Sequence, residues 1–360
     1  MDKKIKIAGA GISGLTAAIN LAKAEYEVEI YDSANNSGQR FNNDFQGIEN
    51  WSYKQDALDF LKDINIEPNF DYQGVDKLSL WAPDECHKDF QLSRPLYYLV
   101  RRGVNSDCLD QNLKKQAIDN GVKIFYNHPV KPSEVDIVAT GPFFNNFEID
   151  GFVSGYVFDT NLENSNIGVL NDKYAPNGYS YFLVRNGRAT LAACIFKNYK
   201  KLDEYRDKTL EYFKKHKEFK MENVEKFSGT GNFFLPNRPK DGKIYIGEAG
   251  GFQDYLWGFG MRYAMTSGYY AAKSIIEGKD FYKICRKKLF PKMKTSAVNR
   301  FIYAIVGNAT YKWLIGKYSK RVADPIKLAR KAYNSTIIRK ILFPLVKVIY
   351  KKHISDPRNL

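Results

Sequence analysis

The chain has 360 residues, 44% hydrophobic and 15% aromatic, a composition typical of a globular protein with one large core or two modest ones. Its 4 cysteines and 4 histidines lack the spacing of a zinc site, so we expect no bound metal. The net charge of +15 is uneven, because residues 281–360 carry 20 basic and only 2 acidic residues, and an anionic surface is the expected partner of that segment.

The N-terminal residues 4–32 predict a strand, a glycine turn, a helix and a second strand. Gly9, Gly11 and Gly14 form a Gly-x-Gly-x-x-Gly motif before the helix, and Asp32 closes the second strand. In a dinucleotide site such glycines make the turn, admit the pyrophosphate and let the helix close on the strand, while the acid binds ribose hydroxyls. No secretory signal precedes this strand, so we expect a cytoplasmic protein.

The residues after this motif predict parts of two different sheets. A helix that ends at Gly121 and a buried strand at 134–142 continue the first unit. From about 150 to 235 the pattern changes to longer strands of a second sheet, with a hairpin turn at Asn186-Gly187. The chain therefore contains a parallel unit followed by an antiparallel one.

A second glycine-rich segment lies late in the chain. Residues 246–272 read IGEAGGFQDYLWGFGMRYAMTSGYYAA and follow a buried strand predicted at 243–251. The glycines lead into a helix predicted from about 260 to 277. Because glycine removes the side chain from the backbone, this density of glycines indicates that another group approaches the chain closely here.

The C-terminal residues 281–353 alternate apolar and basic residues at helical spacing, and no stretch reaches the roughly 18 uninterrupted apolar residues of a spanning helix. Two interpretations stay open. The helices either lie among the headgroups of an anionic membrane, or cap a substrate domain with their basic face in solvent. A nucleic-acid partner is not expected, because the segment is rich in apolar residues and has no base-stacking motif.

Several segments together carry a family resemblance. Residues 247–272 contain a Gly-Glu-Ala-Gly-Gly motif that continues to Ser-Gly and Ala-Ala, residues 100–113 join Arg102 to a Leu-Asp-x-x-Leu helix, and residues 178–193 form a strand pair. With the N-terminal motif they resemble the geranylgeranyl reductase family, FAD enzymes with the p-hydroxybenzoate hydroxylase fold, over most of residues 1–280. The resemblance implies that the cofactor is FAD.

The resemblance also implies which residues contact FAD. Glycines 247, 250 and 251 would let the backbone pass the ribityl-pyrophosphate arm, and the N–H groups near Gly258 and Gly260 would face the flavin. The implied cofactor-binding residues are Gly9, Gly11, Ile12, Ser13, Gly14, Asp32, Ser33, Arg40, Arg102, Val130, Gly141, Gly247, Glu248, Gly258, Gly260 and Met261.

The implied fold class is α/β, with a Rossmann-like FAD-binding domain, an interleaved antiparallel-sheet substrate domain and a helical basic C-terminal region. We expect the FAD-binding domain to comprise residues 1–145 and 236–280, with some substrate-domain strands within 48–105. The substrate domain then covers 146–235, and the C-terminal region covers 281–360.

The activity implied by the resemblance is hydride transfer from reduced FAD to a C=C bond of an isoprenoid lipid of the geranylgeranyl type. Such chemistry needs an apolar tunnel across the flavin, and the expected wall residues are Tyr179, Tyr181, Phe182, Tyr255 and Trp257. Of these, Tyr181, Tyr255 and Trp257 are the catalytic candidates, and no proton donor is assigned.

Two positions depart from the family pattern. Glu248 stands where the family has aspartate, and Tyr255 stands where it has proline. Two alternatives stay open: a flavin-dependent monooxygenase or halogenase of a small aromatic substrate, which would share the fold and the FAD site, and a flavin-binding protein without turnover, which these departures suggest. The sequence Ala-Thr-Gly-Pro, where many flavin hydroxylases have Asp-Gly, favours a reductase.

The expected partners follow from this activity. An isoprenoid lipid is the substrate, and either NAD(P)H or a ferredoxin is the electron donor. The basic C-terminal region is expected to meet an anionic membrane surface, which makes the protein cytoplasmic and peripheral on the inner face of the membrane.

Overall fold

The computed structural model describes residues 4–142, 151–318 and 325–349. The first layer is a five-stranded sheet in which every recorded pairing is parallel. Numbered along the chain, its strands in spatial order are β15 (Ile244–Tyr245), β9 (Ile137–Val138), β1 (Lys4–Ala8), β2 (Glu27–Tyr31) and β8 (Lys123–Phe125). The helices packed on it are α1 (Ile12–Lys23), α3 (Leu109–Asp119) and α5 (Met261–Ile276).

The close crossing of α1 and α5 brings the two glycine-rich segments together. A side chain at Gly268 of α5 would place its Cβ 2.3 Å from the backbone oxygen of Ser13 in α1, so only glycine allows this distance. Leu15, Ile19 and Met265 on the facing sides of these helices are completely buried. The start of α1 therefore lies against α5, although the two helices begin 249 residues apart in the chain.

The second layer is a seven-stranded sheet built from several parts of the chain. In spatial order it contains β14 (Glu222–Gly231), β10 (Gly151–Asp159), β13 (Arg188–Ile195), β12 (Tyr179–Arg185), β11 (Ser165–Val169), β5 (Lys77–Trp81) and β6 (His87–Gln91). The helix α4 (Leu202–His216) packs on one face, where its Phe213 lies 5.1 Å from the ring of Phe182. The other face of the sheet is turned toward the functional site.

A smaller three-stranded sheet connects the two layers. It contains β3 (Asp44–Glu49), β7 (Tyr97–Arg102) and β4 (Tyr72–Val75), and the short helix α2 (Ala57–Asp63) follows β3 in the chain. Strand β3 also touches the large sheet, because the backbone N–H of Phe45 donates to the hydroxyl of Thr190 on β13. The three sheets thus surround one interior space.

The hairpin predicted at Asn186-Gly187 is confirmed. Strands β12 and β13 pair antiparallel up to Arg185 and Arg188, and the two turn residues have φ values of 50° and 74°. Both are left-handed, as a type I′ turn requires, and asparagine and glycine are the residues that adopt this conformation at the lowest cost.

The C-terminal helices in the described residues pack against the rest of the protein, and each buries at least one apolar side chain. They are α6 (Phe281–Lys288), α7 (Phe290–Ile305), α8 (Asn308–Trp313), a π-helical turn (Leu314–Tyr318), α9 (Pro325–Ala332) and α10 (Ile337–Ile349). Met293 of α7 and Tyr311 of α8 are almost completely buried, in two different apolar clusters. This arrangement agrees with a helical cap for α6 to α9.

Of the helices in the described ranges, none combines the length and the apolar character needed to cross a bilayer. The boundary expected at residues 145–146 and the chain after residue 349 lie outside the described residues.

Candidate functional site

The first half of the site is the turn between β1 and α1. Gly9 has a φ of 104°, and a Cβ there would lie 2.3 Å from the oxygen of Ala139. A Cβ on Gly14 would lie 2.1 Å from the oxygen of Gly9, so this glycine lets the helix close on the strand. Gly11 is different, because no atom beyond its chain neighbours lies within 4 Å of its Cβ position and its backbone faces open space.

The N-terminus of α1 is free to bind an anion. Gly11 is the N-cap residue, and no side chain caps the first turn of the helix. The first backbone N–H groups of a helix have no partner within the helix, and the helix dipole makes this end electropositive. Ile12 and Ser13 line the open space beside Gly11, so the geometry fits a phosphate group there.

Asp32 is held at the end of β2 by its own neighbours. Its carboxylate accepts the N–H of Ala10 at 2.6 Å and the N–H of Ala34 at 2.8 Å. These bonds fix the carboxylate beside the glycine turn, where Asp32 and Ser33 line the same space. Because a carboxylate oxygen accepts more than one hydrogen bond, each oxygen of Asp32 can also accept a hydrogen bond from a ligand hydroxyl.

Two arginines approach the space from the next part of the chain. Arg102, at the end of β7, is buried and donates two hydrogen bonds of 2.8 Å to Asp110 of α3. Burial alone would lower the pKa of Arg102, but the neighbouring acidic groups, chiefly the carboxylates of Asp110 and Asp44, together outweigh burial and the pKa is raised. Arg40 is more exposed, and its guanidinium lies 3.4 Å from Glu248. The Arg40 contact is long for an ion pair and the Arg102 contact is short, so only Arg40 is free to reorient toward a ligand.

The second half of the site is the start of α5. Gly258 has a φ of 75°, and its nearest atom beyond the chain neighbours is 4.0 Å from the Cβ position. Gly260 is the N-cap of α5, again without a side-chain cap. Gly258, Gly260 and Met261 line the same space as Gly11. Two uncapped helix N-termini therefore converge on one cavity, a combination suited to a ligand with more than one electronegative group.

Gly247, Gly250 and Gly251 in the late segment are required by packing within the protein and not by the approach of a cofactor, as the sequence had predicted. A Cβ on Gly247, Gly250 or Gly251 would lie 2.5 Å or less from Ser13 Oγ, Tyr245 O or Phe234 O, respectively. These glycines make room for atoms of the protein itself. The prediction that Gly247, Gly250 and Gly251 admit the cofactor arm is therefore corrected, because none of the three lines the cavity, whereas Gly258 and Gly260 do.

The cavity has a volume of about 1280 Å³ and extends from the glycine turn to the C-terminal helices. All predicted cofactor-binding residues except Gly14 and Gly247 line it. Beyond Gly258 it becomes an aromatic chamber, whose walls include Trp51, Tyr97, Tyr179, Tyr181, Trp257 and Phe259. The ring of Trp257 packs edge-on against Tyr179, at a centroid distance of 5.7 Å.

Most tyrosine hydroxyls of the chamber are directed at protein acceptors. Tyr179 donates to the oxygen of Trp257 at 2.5 Å, and Tyr303 donates to the oxygen of Gly178 at 2.7 Å. Tyr181 is the exception, since its hydroxyl has no hydrogen-bond partner among the described residues. Burial raises the pKa of Tyr181 well above its usual value, so the hydroxyl stays protonated at neutral pH.

Two residues expected in the tunnel wall lie elsewhere. Tyr255 is 2% exposed, packs in the core and donates its hydroxyl to the oxygen of Phe234 at 2.6 Å. Phe182 lies on the opposite face of β12, against α4, because successive side chains of a strand point to opposite faces. Both interpretations are therefore wrong, and Tyr255 is not a catalytic candidate. Leu183, two residues after Tyr181, lines the cavity instead.

Asp254 is a buried acid that the sequence interpretation did not single out. Its carboxylate accepts hydrogen bonds from Ser296 Oγ at 2.5 Å, from Tyr333 Oη at 2.9 Å and from the N–H of Trp257 at 2.9 Å. Burial raises the pKa of Asp254, although these hydrogen bonds lower it. Since Tyr333 and Trp257 both line the cavity, Asp254 ties two cavity walls to the C-terminal helices.

Comparisons with known proteins agree with this architecture. A profile for an NAD(P)-binding Rossmann-like domain matches residues 7–54. No curated protein matches the chain significantly. Among solved structures, a geranylgeranyl bacteriochlorophyll reductase-like protein from Thermoplasma acidophilum is 16% identical with a TM-score of 0.72, over 98% of this chain and 99% of that one.

Two flavin-dependent halogenating enzymes are also similar. A flavin-dependent brominase is 14% identical with a TM-score of 0.65, over 97% of this chain and 99% of its own. A flavin-dependent halogenase has 14% identity and a TM-score of 0.55, over 99% of this chain and 74% of its own. The chain has the fold of these flavin-dependent enzymes. The flavoenzyme fold confirms the expected fold class and, at the level of fold, the family resemblance.

Proposed function

We propose that this chain is an FAD-dependent reductase that saturates C=C bonds of an isoprenoid lipid of the geranylgeranyl type. The observation that carries this proposal is the continuity between the glycine turn and the aromatic chamber within one cavity. Its volume of about 1280 Å³ exceeds the roughly 300–1,000 Å³ typical of a site for one small ligand. The cavity thus has room for a dinucleotide together with an elongated apolar molecule.

The residues of the cavity fit FAD. The open backbone at Gly11 and the uncapped start of α1 would hold the pyrophosphate, and Asp32 would accept ribose hydroxyls. Arg40 can leave its long contact with Glu248 for a phosphate oxygen. At the other end, the N–H groups near Gly258 and the start of α5 would stabilise negative charge on the flavin.

FAD, when bound and reduced, supplies a hydride. The aromatic chamber serves this step by excluding water and holding an apolar chain, because most of its polar groups are already bonded to the protein. Addition of a hydride to one alkene carbon requires a proton at the neighbouring carbon. Tyr181 holds such a proton at its Oη, and Trp257 forms the adjoining wall, so Tyr181 is the proposed donor.

The proposal includes two partners. The electron donor is either NAD(P)H or a ferredoxin, which reduces FAD between turnovers. An isoprenoid lipid resides in a bilayer, so the protein is proposed to work as a peripheral protein on the cytoplasmic face, with its basic C-terminal region toward anionic lipid.

Anaerobic turnover tests the proposed reaction. We expect the protein, reconstituted with FAD and reduced by dithionite, to add two hydrogens per double bond to a polyprenyl lipid, as measured by mass spectrometry. Reduced protein that instead consumes oxygen and hydroxylates or halogenates a small aromatic would establish the alternative activity. Bound FAD without turnover on any polyprenyl lipid would identify a flavin-binding protein that lacks this reaction.

Replacing Tyr181 by phenylalanine tests the proton donor. A general acid typically contributes about 10²–10⁴ in rate, so we expect Tyr181→Phe to slow lipid reduction by about that factor while FAD content stays unchanged. Tyr311→Phe is the matched control, because Tyr311 lines the same cavity and directs its hydroxyl to the oxygen of Val306 at 3.5 Å. Equal rates for Tyr181→Phe and the wild type would exclude Tyr181 as the donor.

A further inference from the structure

Helix α10 carries a continuous apolar stripe on its outer surface. Ile341 and Val348 are about 70% exposed, and the remaining members are at least half exposed. The stripe consists of Ile337, Ile338, Ile341, Leu345, Val348 and Ile349. At about 100° per residue, these six positions fall within an arc of roughly 120° on the helix. An exposed apolar face of this size marks an interaction site more often than a free surface.

The opposite side of α10 is anchored to the rest of the protein. Val346 is 1% exposed, and the helix packs against α7. Arg339 donates to the side-chain oxygen of Asn299 on α7 at 3.0 Å. The ammonium of Lys294 on α7 lies 5.1 Å from the centre of the Phe343 ring. These contacts fix the rotation of the helix, so the stripe faces away from the core.

The charge around the stripe has one sign. Lys340 and Lys347 are exposed next to the stripe on α10, and Lys331 is exposed at the end of α9. Across the described residues from 281 to 349 there is no aspartate or glutamate. A second copy of this chain would bring two strongly basic regions together, which like-charge repulsion disfavours. An anionic surface with an apolar interior complements both the lysines and the stripe.

We propose that α10 lies in the interface of an anionic lipid bilayer, with the stripe among the acyl chains and the lysines at the headgroups. A helix of this pattern lies along the membrane plane with its apolar face buried by about 5–10 Å. An aliphatic stripe suits acyl chains, whereas single-stranded nucleic acid would require aromatic stacking platforms. This proposal identifies the part of the proposed reductase that contacts the membrane. It depends on the proposed function only for the identity of the lipid substrate.

The end of the cavity lies close to this helix. Leu314 and Leu328 line the cavity and are more than one third exposed, so the cavity meets the surface among the C-terminal helices. Ala332 also lines the cavity, and Ile337 begins α10 five residues later. Five residues span at most about 18 Å. A docked α10 therefore holds this end of the cavity within reach of a lipid chain in the bilayer.

Vesicle co-sedimentation of the full chain tests the proposal. We expect the wild type to sediment with vesicles of phosphatidylcholine and phosphatidylglycerol, and far less with phosphatidylcholine alone. The double variant Ile341→Glu/Val348→Glu should lower the partition coefficient by about tenfold or more, because two inserted aliphatic side chains become charged. The matched control is Ile118→Glu/Val224→Glu, which makes the same change at exposed positions on α3 and β14 and should bind like the wild type.

Two outcomes would overturn the proposal. One is equal co-sedimentation of the α10 variant and the wild type. The other is a wild type that stays in the supernatant and forms a dimer in analytical ultracentrifugation, with the dimer lost in the α10 variant, because the stripe would then bind a second copy. The vesicles contain no isoprenoid and no turnover is measured, so failure here is distinguishable from failure of the reductase proposal.

Discussion

Replacing Gly11 by valine is expected to weaken flavin binding strongly and leave the fold intact. The φ of Gly11 is −80°, which valine adopts readily, and no atom beyond its chain neighbours lies within 4 Å of its Cβ position. The added side chain therefore fills only the open space where the pyrophosphate would lie. Loss of two charge-assisted hydrogen bonds, at about 1.5–3 kcal/mol each, corresponds to about 10²–10⁴ in affinity.

Flavin absorbance after reconstitution measures the effect of Gly11→Val on flavin binding. Thermal unfolding of the apoprotein measures its effect on the fold. The unfolding free energy of the apoprotein should change by about 1 kcal/mol, the usual size of an N-cap substitution. Gly14→Val is the informative contrast, since a Cβ there lies 2.1 Å from the oxygen of Gly9 and should destabilise the apoprotein itself. A yellow Gly11→Val protein with wild-type FAD affinity would contradict the proposed cofactor site.

Replacing Asp254 by alanine is expected to lower the free energy of unfolding by about 3–5 kcal/mol. The substitution leaves the hydroxyls of Ser296 and Tyr333 and the N–H of Trp257 without their acceptor, in a place that is 1% exposed. Urea unfolding measures the loss. Asp119→Ala is the control, because the exposed pair of Asp119 and Lys115 should contribute about 1 kcal/mol or less. A loss for Asp254→Ala no larger than that of the control would contradict the structural role.

The pH dependence of this site follows from the raised pKa of Asp254, which burial causes. Below a pH of about 4 the carboxyl group is protonated in both the folded and the unfolded chain. As the pH rises above that value the unfolded chain ionises first, so the contribution of Asp254 to stability falls until the folded pKa is passed. The stability difference between the wild type and Asp254→Asn should therefore shrink from pH 4 upward. A difference independent of pH would show that the carboxyl ionises equally in both states.

The fold was predictable because its signals are local. The turn at Gly9, the hairpin at Asn186-Gly187 and the helix end at Gly121 each depend on backbone conformations that few residue types adopt. The backbone conformation at such positions can be predicted from the residue type, whatever packs around them. The glycine motif, together with Asp32 at the end of the next strand, was therefore enough to predict the parallel sheet and a binding site beside it.

The walls of the chamber were less predictable because they depend on which face of an element is turned inward. Tyr181 and Phe182 are neighbours in β12 and cannot both face one cavity. Tyr255 lies in a loop between two cavity segments, yet its hydroxyl is drawn to the oxygen of Phe234 in the core. Aromatic content alone does not distinguish a residue that lines the cavity from one that packs in the core.

Asp254 illustrates a second limit of sequence interpretation. Nothing near it in the chain distinguishes it from an exposed acid, because its partners Ser296 and Tyr333 come from 42 and 79 residues further on. The basic C-terminal region was ambiguous for the same reason. Its net charge suggested a surface segment, whereas only tertiary packing distinguishes helices α6 to α9, which contribute buried apolar residues, from α10 with its exposed stripe.

The convergence of α1 and α5 has a consequence for biosynthesis. The first glycine turn leaves the ribosome long before Gly258, and domains fold as their residues emerge. A nascent chain that ends before α5 presents only half of the binding surface. A dinucleotide that needs both turns is therefore expected to bind tightly only after α5 has been synthesised, late in the production of the chain.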